Sequence, residues 1–188
     1  PAETPLLLIY RNDPCIVIGR NQNPWKEINM AALRAVDLPF DLGNTNFSLH
    51  LPRNSFERRK GSALALEALK RLDVPDAWVN DRNDVCSAYK IINNRAYHHG
   101  TMLLTAQVGQ LRDVLRNTKD GMIGRSVTSV RSPVKNIAEM KPGVEHNVFS
   151  EALVDSFCSQ FGLEREVTLI GEEIMDDDHS EEKRYIEQ

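Results

Sequence analysis

Four short apolar runs, in pairs joined by turn residues, constrain this chain most. Leu6 to Tyr10 and Cys15 to Gly19 flank Arg11-Asn12-Asp13-Pro14, and Ala88 to Ile92 and Arg95 to Leu104 flank Asn93-Asn94. Each run is too short for a stable helix, and Asn, Asp and Pro favour turns, so each pair reads as a β-hairpin. Asn44 to Leu51 alternates polar and apolar residues and reads as a further strand that ends at Pro52. Strands at Asp76 to Val79 and Arg165 to Ile170, and an extended stretch from Ser129 to Val134 ahead of a proline-fixed turn, complete the β expectation.

Helices fall between these strands without regular alternation. Asn23-Pro24-Trp25 starts one that runs to about Val36. Glu57 to Leu72 is the clearest amphipathic segment, with Leu64, Leu66, Leu69 and Leu72 marking its apolar side. Val108 to Arg116 is a third helix. Glu145 to Phe161 is a fourth, with Val148, Leu153, Val154, Phe157 and Phe161 expected inward and Gly162 after its end. The pattern predicts an α+β fold, a mixed and largely antiparallel sheet packed with helices, and not a doubly wound parallel sheet.

The chain has 188 residues and a formal net charge of −4, enough for one domain and no recommendation for nucleic acid as a partner. No apolar run approaches the roughly 20 residues that span a bilayer, so no membrane role is expected. Cys15, Cys86 and Cys158 show no paired spacing, which argues against a disulfide scaffold or a zinc site and for a reducing compartment. Residues 172–188 are acidic and hydrophilic and read as a tail, leaving 1–171 as the folded domain, expected to be a monomer.

Four polar clusters could carry chemistry. Gly19-Arg20-Asn21-Gln22-Asn23-Pro24-Trp25 gathers amides, a guanidinium and an indole that are costly to bury without partners. Asp41-Leu42-Gly43-Asn44-Thr45-Asn46 puts Asn44 and Asn46 on one strand face, with Gly43 suited to a positive-φ turn. Asn80-Asp81-Arg82-Asn83-Asp84 sets carboxylates beside an arginine. In Tyr97-His98-His99-Gly100-Thr101 the two imidazoles point to opposite strand faces, so one can line a pocket while the other meets solvent or core. Each cluster alone also suits an ordinary polar loop or strand. No nucleotide-binding glycine loop, nucleophile elbow or zinc-protease motif is present.

Taken together and in order, Ile18 to Glu27, Asp41 to Asn44, Arg82-Asn83-Asp84, Ser87-Ala88-Tyr89-Lys90, Tyr97 to Thr101 and Ser129 to Ser132 resemble the lipoate–protein ligase A and lipoyltransferase family, and its fungal-like branch most. The resemblance covers nearly the whole chain. It implies a fold shared with biotin–protein ligases. It also implies activation of lipoate or octanoate with ATP as an acyl-adenylate and transfer to a lysine of a lipoyl domain. Acceptors in the family are the E2 subunits of 2-oxoacid dehydrogenases and the glycine cleavage H protein. Some members start instead from lipoyl-adenylate, an acyl-coenzyme A or an acylated carrier protein. By resemblance, Trp25, Lys90, His99 and Gly100 line the acyl pocket, and Asn44, Asn83, Asp84 and Thr101 stand on the adenylate side, with magnesium near Asp84. The fungal-like branch implies the mitochondrial matrix, and a bacterial member the cytoplasm. A non-catalytic binder of lipoyl groups or lipoyl domains, and a biotin–protein ligase, are the alternatives.

Two family segments are missing. The arginine–serine–glycine run belongs just before Asp41, where Phe40 stands, and the family's catalytic lysine belongs just before Ser87, where Cys86 stands. Losing both in evolution would abolish the chemistry yet spare the flanking motifs. The expectation is therefore that both are mobile loops left out between residues 40–41 and 86–87. Ordinary Cα spacing of about 3.8 Å at both junctions would mean true deletions.

Overall fold

A computed structural model describes residues 4–12, 15–19, 21–35, 43–75, 77, 87–92, 94–106, 114–115 and 135–170. Its centre is a four-stranded sheet of β1 (Leu6–Tyr10), β2 (Asn44–Pro52), β3 (Ser87–Ile92) and β4 (Arg95–Leu103) in the order β1-β2-β4-β3. All three ladders are antiparallel. The helices are α1 (Pro24–Glu27), α2 (Met30–Ala35), α3 (Arg58–Arg71) and α4 (His146–Phe161). This is the α+β architecture expected.

The strands of the second hairpin pair as read, with Ile92 opposite Arg95. The first does not. β1 pairs with β2, Leu7 against Leu49 and Ile9 against Phe47, while residues 15–19 run without strand structure. A long central strand with a fully buried apolar face is the better partner, because cross-strand burial outweighs the local turn. The first predicted helix is split at Asn29, whose side chain accepts the N–H groups of Ala31 and Ala32 at 3.2 and 3.1 Å and caps a new start.

Helices α3 and α4 pack on each other and on one face of the sheet. Phe47, Leu49 and Leu51 of β2 meet Leu64, Ala65, Ala68 and Leu69 of α3 and Phe149, Ala152 and Leu153 of α4. Both inward faces follow the expectation in part: Leu64, Leu69 and Leu72 of α3 and Leu153, Phe157 and Phe161 of α4 are in the core or packed against it. In α3, Ala65 and Ala68 replace Leu66 at the contact. In α4, Phe149 and Ala152 are buried and Val148 is 43% exposed. Small residues let α3 approach closely: a Cβ on Gly61 would stand 2.3 Å from the His98 ring. Thr45 Oγ1 lies 2.8 Å from His146 Nδ1 and ties the start of β2 to the first turn of α4.

The expected strand at 165–170 is not formed. Val167, Leu169 and Ile170 are exposed, and Arg165 instead pairs with Asp155 at 2.8 Å and with Glu151, both on α4. An extended pattern without a neighbouring strand has nothing to hydrogen-bond. The helix at 108–116, apart from Val114 and Leu115, the strand at 76–79, apart from Ala77, the extended stretch at 129–134, the junctions 40/41 and 86/87 and the tail at 172–188 lie outside the described residues. Among the described residues, no helix is long and apolar enough to cross a membrane.

Candidate functional site

Strand parity divides the sheet into two faces. With Phe47 and Leu49 turned to the helices, their neighbours Asn46, Ser48 and His50 face away, and the register lines them up with β1 and β4. Three cross-strand rows result: Tyr10–Asn46–Thr101, Leu8–Ser48–His99 and Leu6–His50–Tyr97. The side opposite the helices is therefore polar and aromatic, whereas the helix side is apolar.

The polar end of this face forms a cavity of about 210 Å³. Asn44, Asn46 and Thr101 line it from the sheet, Arg11 and Asn12 from the segment after β1, and Ile16, Val17 and Leu115 give it apolar surface. Thr101 Oγ1 donates to Asn46 Oδ1 at 2.8 Å, which orients the amide so that its NH₂ group is the remaining donor. Asn44 Oδ1 is buried with no partner among the described residues. An unpaired buried acceptor costs about 1–3 kcal/mol, so a ligand that donates to it would be favoured. Tyr10 and His99 close the cavity on the side toward Ser48, their rings stacked with centroids 6.2 Å apart.

Burial lowers the pKa of His99 below its ordinary 6.5, opposed by a hydrogen bond to the Phe47 backbone. The neutral ring is the form present at pH 7. His98 faces the core instead, 3% exposed, with neither ring nitrogen partnered among the described residues, and burial followed by the charge of His99 lowers its pKa. His50 and His146 are lowered by burial first, then by Arg95 and Arg11 respectively. In each case the unfolded chain binds the proton more readily, so stability rises with pH. It is complete above about 6.5 and is lost as pH falls through the folded values. The melting temperature is expected to drop between pH 7.5 and 5.5, and His98→Met to flatten the curve. A melting temperature that rises on acidification would contradict this.

Of the residues that the resemblance names, the structure brings Asn44, Thr101 and His99 to one cavity. Gly100 does not join them. It lies on the core side of β4, where a Cβ would stand 2.4 Å from the Phe47 ring, so its close approach is to Phe47 and not to a ligand. Trp25 is also displaced. It sits in α1, 59% exposed, its N–H held by the cap Asn23 at 3.0 Å, and does not line the cavity. Lys90 stands opposite Tyr97 in the β3–β4 ladder. Asn83 and Asp84 lie outside the described residues, and among the described residues no group of three acidic, histidine or cysteine side chains could hold a metal. Tyr10, Arg11 and Cys15 were not anticipated at the site. Only the β1–β2 register shows that Tyr10 shares the face of Asn46.

Solved structures share this fold of an antiparallel sheet packed with helices. The complex of P. falciparum LipL1 with lipoate matches with a TM-score of 0.69 and 24% identity, over 88% of this chain and 53% of that one. Lipoate-protein ligase A bound with ATP matches at 0.66 and 18%, over 90% and 78%. Ta0514 of T. acidophilum with bound lipoic acid matches at 0.68 and 20%, over 90% and 78%. The sequence carries the relation further. Residues 1–158 match the lipoyl protein ligase A/B catalytic domain, and the chain belongs to that family. A Schizosaccharomyces pombe protein described as a lipoate-protein ligase A is 37% identical over 157 residues, 72% of this chain. The chain spans 43% of that relative's length.

Proposed function

We propose that the protein transfers a lipoyl or octanoyl group to one lysine of a lipoyl domain. Family membership supports the reaction class. The observation that carries the reading to this chain is the convergence of Asn44, Asn46, Thr101 and His99 on one hollow. The Asn46 amide, oriented by Thr101, offers an NH₂ donor that suits a carboxylate or acyl carbonyl, and the aromatic pair beyond suits its hydrocarbon tail.

In the ligase route, a carboxylate oxygen of the acid attacks the α-phosphate of ATP, releasing pyrophosphate. The lysine amine, having lost its proton, then attacks the acyl carbonyl and AMP departs. In the transferase route the deprotonated amine attacks the carbonyl of a ready acyl-adenylate or acyl-coenzyme A, and AMP or coenzyme A departs. Here the chain's own part is positioning and charge stabilisation, the larger contributions where no nucleophile is used. Lipoate and ATP bound to related proteins support the ligase route. A structural analysis of a bipartite T. acidophilum ligase together with its E2 lipoyl domain supports lipoyl domains as the acceptors. A place in the mitochondrial matrix, with E2 subunits and the glycine cleavage H protein as acceptors, rests on the resemblance to the fungal-like branch alone.

A non-catalytic binder of lipoyl groups is the second reading. It is favoured by one observation, that Cys86 directly precedes Ser87 where the family has its lysine segment. The two separate by mass. Full-length protein is incubated with an apo lipoyl domain and lipoate plus ATP, octanoyl-coenzyme A or lipoyl-adenylate. The expected result is an acceptor heavier by one acyl group with at least one donor. An unchanged mass with every donor would leave only the binder.

A further inference from the structure

The polar cavity has a direction. Tyr10 stands opposite Asn46 in the β1–β2 ladder, and the strands are antiparallel, so the chain leaving β1 moves toward Asn44. Arg11 and Asn12 therefore line the cavity at its Asn44 end, while Tyr10 and His99 line it at the other. Asn46 and Thr101 lie between, with Asn44 and Asn46 about 6.8 Å apart along the strand. The surroundings of His146 place Arg11 at the same end. The charge of Arg11 is the second cause, after burial, that lowers the pKa of His146, and His146 Nδ1 lies 2.8 Å from Oγ1 of Thr45, the residue between Asn44 and Asn46.

Charge singles Arg11 out. It is the only arginine, lysine, aspartate or glutamate among the described residues that line the cavity. Among the described residues it makes no ion pair, and it is exposed, so its guanidinium is open to an anion. Residues 35–52 and 83–89 supply no lysine or arginine. A cation at this end selects among acyl donors by where their charge lies. In a free acid the charge is the carboxylate itself, at the group the Asn46 amide meets. In an acyl-adenylate the carbonyl is neutral, and a negative phosphate follows it through one bridging oxygen. In an acyl-coenzyme A thioester the carbonyl is followed by sulfur and a long neutral arm, with the phosphates far beyond. With the tail toward Tyr10 and His99 and the carbonyl at Asn46, the next group along lies at Arg11 and Asn44. A guanidinium presents a fork of donors that matches two phosphate oxygens.

Resting on the acyl-transfer reading above, the structure assigns to Arg11 the phosphate of an acyl-adenylate, and with it the choice of that donor over a thioester. In the transfer step the deprotonated lysine amine attacks the acyl carbonyl, and the bond from the carbonyl carbon to the phosphate oxygen breaks. Its electron pair leaves on AMP, and the surplus proton of the new amide nitrogen passes to solvent. Charge grows on the departing phosphate oxygen, where Arg11 already stands. Arg11 is exposed and lies outside the core cluster, so replacing it alters the site without disturbing the fold.

The test reads ratios. Calorimetry compares octyl adenylate, an inert phosphate diester, with octanoate in wild type, Arg11→Gln, Arg11→Lys and Arg34→Gln. Arg34 is an exposed arginine of α2 outside the described lining of the cavity, so its loss controls for net charge. Arg11→Gln is expected to lower the ratio of octyl adenylate affinity to octanoate affinity at least tenfold, the size of a lost charge-assisted bond. Arg11→Lys keeps the charge without the fork and is expected to fall between. Arg34→Gln is expected to keep the wild-type ratio. Transfer to an apo lipoyl domain from octanoyl-adenylate and from octanoyl-coenzyme A is read in the same proteins, and in Arg11→Gln the adenylate-to-thioester ratio of kcat/KM is expected to fall alongside. A ratio that does not move, a loss equal for both ligands, or an equal effect of Arg34→Gln overturns the assignment while transfer by wild type still stands. So does a wild type that accepts the thioester and not the adenylate. A wild type that transfers nothing overturns the proposed function, and the binding ratio then decides Arg11 alone. Failure of wild type to bind octyl adenylate overturns the assignment as well.

Discussion

Phe47→Ala is expected to lower the unfolding free energy by about 3–5 kcal/mol, the usual cost of truncating a buried phenylalanine. The ring is fully buried on the central strand, between β1 and β4 and beneath the two long helices. Domains of this size are stable by about 5–15 kcal/mol, so the loss is a large share of the total. Gly100 sharpens the test, because its hydrogen occupies the space against the Phe47 ring that a methyl would need. Gly100→Ala in wild type overpacks and destabilises, whereas in the Phe47→Ala background the same methyl fills part of the cavity. The two changes are therefore expected to be non-additive, with the double variant more stable than the summed single losses predict. Urea unfolding midpoints measure all three proteins. A Phe47→Ala loss below about 1 kcal/mol, or strict additivity with Gly100→Ala, would show that the core is not organised around this contact.

The second large effect is on activity. Asn46→Leu keeps the size of the side chain but removes the amide that accepts from Thr101 and offers its NH₂ group to the cavity. Losing one such hydrogen bond and stranding its partner costs about 1–3 kcal/mol, which corresponds to roughly ten- to a hundredfold in kcat/KM. Thr101→Val leaves the amide in place but frees its orientation, so a smaller loss is expected. The division between kcat and KM identifies the role. A rise in KM alone means that Asn46 holds the acyl donor equally in ground and transition states. A matched fall in kcat and kcat/KM means that it stabilises developing charge. Unchanged kinetics, with an unchanged melting temperature, would remove Asn46 from the site.

The legible parts of the fold were those whose signal is local. The β3–β4 hairpin follows from two apolar runs around Asn93-Asn94, and α3 and α4 follow from helical spacing over 14 and 16 residues. The parts that were misread depend on partners far away in the chain. Residues 15–19 and 165–170 have strand-like composition, but a strand exists only where another edge is free to receive it. β1 pairs with β2, and among the described residues no strand meets 165–170. The contact made by Ala65 and Ala68 of α3 in place of Leu66 has a similar cause. Helical periodicity identifies an apolar stripe, but the contact edge was set by His98, which needs the missing side chain of Gly61.

At the site the same division holds. Sequence alone established the family resemblance, the antiparallel α+β class, the shared face of Asn44 and Asn46 and the opposition of His98 and His99. All of these follow from residue order and the two-residue period of a strand. Tertiary structure decided which of the opposed faces is the hollow. It sent His99 there and His98 and Gly100 into the core, left Trp25 outside, and brought Tyr10 across to meet His99. Register and helix docking determine those outcomes, and both are settled by contacts between residues tens of positions apart, where local propensity carries no information.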